Sequence, residues 1–203
     1  FEDSSGFLSG NFTAECWFYR GGSSAGNHNH LLGNSPDSAS GFYWAITDHA
    51  TPYYQLFFQE ILINYQYSAN EIPINSWTHL AISVAGSTAR AYINGIEKAS
   101  NTNFPTDRTT GIGSTYNIGT GATGGSWSNQ YAHGNIADYH ISNIAKYTGP
   151  FTPPTEPITA TENTVFLASP YRMKSGVGNM SIVSKPSTDE TGKALTYNGS
   201  VST

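Results

Sequence analysis

The chain is short of several things that commonly announce a protein's habits. It has one cysteine, Cys16, so no disulfide can form within it. Charged residues make up only 11% of its 203 positions, and no basic run occurs. With a formal charge of −5 it lacks the electrostatic footprint of a nucleic-acid-binding protein. No apolar stretch approaches the roughly 20 residues a membrane-spanning helix needs, so no membrane insertion is expected. No signal-peptide pattern is visible. The chain opens at Phe1 without a Met, which reads as a processed chain or a segment of a longer one. Cys16 lies inside an alternating run and reads as a small buried hydrophobe.

Aromatic residues supply 13% of the chain, enough to exclude disorder, and Gly, Ser, Thr and Asn are abundant. No convincing helix period is present. Alternating apolar and polar residues predict strands over 11–20, 27–33, 41–48, 53–59, 61–67, 77–84, 89–99, 115–119, 134–144 and 164–168. Weaker patterns cover 180–183 and 194–197. In the first strand Phe12, Ala14, Cys16 and Phe18 share one face, and Thr13, Glu15, Trp17 and Tyr19 share the other. Trp17 on that second face implies a partly covered, central strand. Asn94-Gly95 between two alternating runs is a strong hairpin signal, because both residues tolerate positive φ. Trp77, Ile82, Tyr92, Ile93, Ile136 and Ile141 are expected to be mostly buried.

A tryptophan ahead of a strand (Trp77), a Tyr92-x-Asn94-Gly95 hairpin and a late Gly134-x-Ile136-x-Asp138 strand occur in that order. Together they resemble the concanavalin A-like lectin/glucanase superfamily, in its laminin-G-like branch. The resemblance implies an all-β fold: a two-sheet antiparallel β-sandwich (jelly-roll, concanavalin A-like). It implies a laminin-G-like unit over 1–168. Residues 169–203 then form a C-terminal strand/loop extension or a link to a following domain. The run Ile141-Ser-Asn-Ile-Ala-Lys-Tyr147-Thr-Gly-Pro-Phe151-Thr-Pro-Pro154 is similar to modules of bacteriophage tail, fibre and capsid-associated proteins. That likeness implies a non-enzymatic structural or adhesion module on the virion surface. Its partners would be other virion subunits, as a homo-oligomer, and host-surface glycan. The alternative is a carbohydrate-binding module of an extracellular bacterial protein. A chain without disulfides fits assembly in a reducing cytoplasm.

Glycosidases on this fold place three acidic residues at alternating positions of one strand, so that one carboxylate attacks while another protonates the leaving oxygen. Here Glu60, Glu71 and Glu97 stand singly, and Asp189-Glu190 are adjacent. No Gly-x-Ser-x-Gly elbow occurs. The Gly-rich run at 119–125 has no following Lys-Ser/Thr to make a phosphate loop. His28 and His30 would share a strand face; His49, His79, His133 and His140 are scattered, with no zinc spacing. His79 reads as a satisfied, partly buried histidine. The family resemblance raises calcium at the sandwich rim, with Asp138 and Asp48 as the candidate ligands and Asn94 and Asp107 behind them. Asp138 reads equally as a structural acceptor. For a glycan, the loop carrying Trp127, Asn129, Tyr131 and His133, joined by Tyr53, offers aromatics for sugar faces and an amide for hydroxyls. The other reading of these aromatics is packing onto the sheet or against a neighbouring subunit.

Overall fold

The structure, a computed structural model, describes residues 1, 6–22, 28–34, 41–58, 61–108, 115–120 and 130–168, with the strand backbone of 173–176 and 179–182. Its strands are β1 (Phe12–Arg20), β2 (His28–Gly33), β3 (Phe42–Thr47), β4 (Tyr53–Phe58), β5 (Ile61–Gln66) and β6 (Trp77–Ala85). There follow β7 (Thr88–Ile93), β8 (Ile96–Asn101), β9 (Gly134–Ser142), β10 (Thr164–Ala168), β11 (Met173–Gly176) and β12 (Asn179–Ile182). The helical content among the described residues is one 3-10 turn at Phe7–Ser9. The strands form an eight-stranded sheet, β12-β11-β9-β1-β6-β7-β8 with β10 also on β9, and a four-stranded sheet, β2-β3-β4-β5. Every strand pairing is antiparallel. This is the expected all-β sandwich.

The two sheets face each other across one apolar core. Phe12, Ala14, Cys16 and Phe18 of β1 are fully buried in it, as their alternation predicts. The smaller sheet contributes Phe42, Trp44, Ile46, Leu56 and Phe58. Two polar tips in this core are satisfied in series. Trp44 Nε1 donates to Tyr54 Oη at 2.9 Å, and Tyr54 Oη donates to the Ala81 carbonyl at 2.8 Å. That chain of bonds ties the smaller sheet to the larger one and avoids the cost of an unmade buried hydrogen bond.

The hairpin at Asn94-Gly95 forms as predicted, with φ of 49° and 76°. It divides the expected 89–99 strand into β7 and β8. Residues 115–120 do not build a strand. They make isolated bridges, Gly33 to Asn117 and Thr120 to Tyr131. β11 lies outside the strands expected from the sequence; it pairs with β12 and with β9, so the backbone of 173–176 and 179–182 extends the larger sheet. The weak pattern at 194–197 lies outside the described residues. Ile82, Tyr92, Ile93, Ile136 and Ile141 are buried, but Trp77 is 37% exposed, contrary to expectation. It opens β6 opposite Tyr19, on the face turned away from the core.

That outer face of the larger sheet is covered by residues 143–154, which leave β9 and cross β1, β6 and β7. Thr13 Oγ1 donates to the Ile144 carbonyl at 2.9 Å and accepts from the Lys146 amide at 2.9 Å. Tyr92 Oη donates to the Tyr147 carbonyl at 3.2 Å, and the Phe151 amide donates to the Gly95 carbonyl at 2.9 Å. Trp17 Nε1 reaches the Pro154 carbonyl at 3.3 Å. The Pro-rich exit thus supplies the cover that Trp17 called for.

Candidate functional site

The register that builds the core also dictates what the smaller sheet shows on its other side. Tyr43, Ala45 and Thr47 alternate with the core residues of β3, and Tyr53, Gln55 and Phe57 with those of β4. Thr47 faces His28 on β2, and its Oγ1 accepts the Tyr53 amide at 2.8 Å. Ala45 faces His30 on one side and Gln55 on the other, and Gln55 faces Asn64 on β5. Tyr43 faces Phe57, which faces Leu62. The face is closed along β2 and β3, where His28, His30, Tyr43, Ala45 and Thr47 are buried. It opens along β4 and β5, where Tyr53, Gln55 and Phe57 are half-buried and Leu62, Asn64 and Gln66 are exposed.

An aromatic ridge crosses this face. The Tyr43 and Phe57 rings lie 4.9 Å apart at 12°, and His30 meets Tyr43 edge-on at 5.4 Å. Beside it, Gln55 Nε2 donates to Asn64 Oδ1 at 3.1 Å. At the end nearest Tyr53, His28 Nε2 and His49 Nε2 stand 3.3 Å apart. Burial lowers the His28 pKa to about 4, helped by the neighbouring His49. Burial lowers that of His30 to about 3, with His28 acting the same way and a hydrogen bond with Gln130 opposing. Both rings are therefore neutral at pH 7.

The rim residues expected to contact glycan divide into two groups. Trp127 and Asn129 lie outside the described residues. Tyr131, His133 and Tyr53 are half-buried. Tyr131 bridges Thr120. The His133 amide donates to Asn29 Oδ1 at 2.7 Å and its carbonyl accepts the Gly21 amide at 2.7 Å, which pins the His133 backbone to the β2 edge at Asn29. Tyr53 lies on the outer face of the same sheet, with Thr47 between it and His28.

Asp48, read as a candidate calcium ligand, is spent elsewhere. Its Oδ1 accepts Arg20 Nε at 3.0 Å and Nη2 at 2.5 Å, and its Oδ2 accepts Asn29 Nδ2 at 2.9 Å. With its carboxylate neutralised and bonded, Asp48 does not fit a calcium cage. Asp138 is half-buried and has a φ of 48°, at the irregularity where β9 shifts register against β1. An aspartate tolerates that left-handed backbone better than most residues, which accounts for its place in the motif. Asn94 ties the β7–β8 turn to β6, accepting the His79 amide on Oδ1 at 2.9 Å; Asp107 is exposed. Among the described residues no group of three or more His, Cys, Asp or Glu is arranged to hold a metal.

The carboxylate with the densest surroundings was not singled out from the sequence. Glu15 is fully buried beneath 143–154. Its Oε1 meets His140 Nδ1 at 2.9 Å and is paired with Lys146 Nζ. Its Oε2 accepts from Tyr147 Oη at 2.6 Å and lies 3.4 Å from His79 Nε2. Burial alone would raise its pKa. The bonds to His140 and His79 and the charge of Lys146 outweigh burial and hold it far below the usual carboxylate range. Such a group is a fastening for the covering segment. The signal for it was a glutamate at the centre of a face already marked as covered by Trp17.

Against known proteins, the laminin-G-type family model described as the concanavalin A-like lectin/glucanases superfamily matches residues 1–147. A search of curated proteins finds no match. A candidate carbohydrate-binding protein from Bacteroides ovatus has a similar fold, with a TM-score of 0.67, 16% identity, and coverage of 91% of this chain. This chain spans 50% of that protein. The heptameric SAP-like pentraxin of Limulus polyphemus is similar with a TM-score of 0.53 and 14% identity, over 85% of this chain and 82% of its own. The enzymatically active domain of tailspike protein 2 from bacteriophage CBA120 is similar with a TM-score of 0.51 and 13% identity, over 70% of this chain and 25% of its own.

Proposed function

Because this chain belongs to the concanavalin A-like lectin/glucanase superfamily, we propose that it is a non-catalytic carbohydrate-binding module. The observation that carries the reading is that Tyr53 and His133, both half-buried, lie on separate segments of chain, Tyr53 on the outer face of the smaller sheet and His133 held to the β2 edge at Asn29. Rigid aromatic and imidazole side chains there offer apolar area for sugar C–H faces at low entropic cost. Three of the described glutamates have structural work: Glu15 holds Lys146, Glu71 holds Lys98, and Glu97 holds Arg90.

The setting we propose is the surface of a virion, where the module binds host-surface glycan or neighbouring subunits as part of a homo-oligomer. The phage-like run from Ile141 to Pro154 supports this over the alternative, a module of a secreted bacterial protein. Affinity per site would be weak and attachment would come from many copies on one particle. Trp127, Asn129, Tyr131, His133 and Tyr53 form the proposed rim contact. The test is a glycan array read with a multivalent form of the chain, beside Trp127→Ala and Tyr53→Ala. Binding by the unmodified chain that falls in either variant, with thermal unfolding unchanged, supports the reading. No binding to any sugar overturns it.

A further inference from the structure

The outer face of the smaller sheet has a chemistry of its own. Its outward positions on β2 to β5 contain no Asp, Glu, Lys or Arg. What it offers is an apolar ridge ending in Leu62, 40% exposed, next to a pair of amides. The amide pair is incomplete. Gln55 Nε2 is bonded to Asn64, but Gln55 Oε1 is buried with no hydrogen-bond partner among the described residues. Turning the amide over would only change which end is left over. A buried polar atom in the middle of a half-open face is a place for a ligand hydroxyl.

The absence of charge selects the ligand class. A polyanion, whether nucleic acid or an acidic polysaccharide, calls for Lys or Arg, and the chain's formal charge of −5 would repel it. A sugar without charged groups presents apolar C–H patches with hydroxyls around their edge, which matches a ridge bordered by amides. We propose that this face binds a neutral oligosaccharide, its C–H face against Phe57 and Leu62 and its hydroxyls on Gln55 and Asn64, with Tyr53 joining the face to the rim. The proposal rests on the carbohydrate reading above and moves the main contact from the rim loop to the sheet.

The experiment is a binding titration of the full chain with neutral gluco-, galacto-, manno- and arabino-oligosaccharides and with sialylated and uronic-acid oligosaccharides. It is repeated for Phe57→Ala, Asn64→Ala and Trp127→Ala, each checked by thermal unfolding. Asn64 is exposed, so its variant keeps the test available should Phe57→Ala fold poorly. The expected result is binding to a neutral sugar that weakens about tenfold or more in Phe57→Ala and Asn64→Ala, a loss of about 1.4 kcal/mol. Binding that disappears in Trp127→Ala yet is unchanged in Asn64→Ala overturns this proposal and leaves the carbohydrate reading standing. Preference for the acidic sugars overturns it as well. No binding to any sugar overturns both.

Discussion

Tyr147 Oη donates a 2.6 Å hydrogen bond to Glu15 Oε2, and with it the segment 143–154 is closed over the outer face of the larger sheet. Glu15 is then a buried carboxylate whose charge is met by Lys146 and hydrogen-bonded by His140. Removing its charge leaves these partners without their anion. Glu15→Gln is expected to lower stability by about 3–5 kcal/mol, the usual cost of breaking a buried pair from one side. Urea unfolding measures it. A change below about 1 kcal/mol would show that the network contributes nothing net to the fold.

Acid should act on this protein in two stages. The ordinary histidine pKa is 6.5, and in the folded chain those of His28 and His30 are about 4 and about 3. As pH falls through about 6.5 the unfolded chain takes up protons at these positions and the folded chain does not, so stability falls from there towards pH 4 and 3. Below about 4.5 Glu15 adds to the loss, because its folded pKa is depressed and the stability it gives is present only above the unfolded value. The melting temperature should therefore decline already between pH 6.5 and 4.5. In His30→Gln that decline should be shallower. An identical slope in the variant would contradict a neutral, buried His30.

Gly95 is fixed by two constraints at once. Its φ is 76°, and a Cβ at this position would lie 1.8 Å from the Phe151 carbonyl oxygen. Gly95→Ala should cost about 1–3 kcal/mol from backbone strain, and more if the covering segment lifts away. Gly149→Ala, where nothing lies within 4 Å, is the control and should be close to neutral. Limited proteolysis should cut 143–154 sooner in Gly95→Ala. Equal protection in both variants would mean that the turn does not hold the segment.

No hydrolysis is expected. Incubation with β-glucans, galactans and peptidoglycan fragments should release no reducing ends. Turnover that disappears in Glu60→Gln, Glu71→Gln or Glu97→Gln would make the chain an enzyme.

Much of the fold was legible because antiparallel strands with one core face write a period of two into the sequence. The β1 faces, the Asn94-Gly95 hairpin and β10 were read with little error. Trp77 departs from the expected burial because phase, not size, sets the face a strand residue takes. Thr78, Leu80, Ile82 and Val84 point to the core, which puts Trp77 with His79 on the outer face. Ala81 and Ser83 sit on that outer face too, opposite Tyr92 and Arg90, while Ala91 and Ile93 point inward. The candidate site was less legible. Gln55, Phe57 and Asn64 come together only through the β4–β5 register, and as isolated letters they look like any polar or apolar strand position. The Arg20–Asp48 pair spans 28 residues of sequence, and nothing local marks Asp48 as occupied.

The most direct test of sugar binding on the smaller sheet is a backbone amide NMR titration of the chain with a neutral oligosaccharide that it binds on the array. Shift changes should concentrate at Tyr53, Gln55, Phe57 and Asn64, on the outer face of the smaller sheet. Shifts confined to Trp17, Tyr147 and Phe151 on the other side of the sandwich, or none with any sugar, would contradict it.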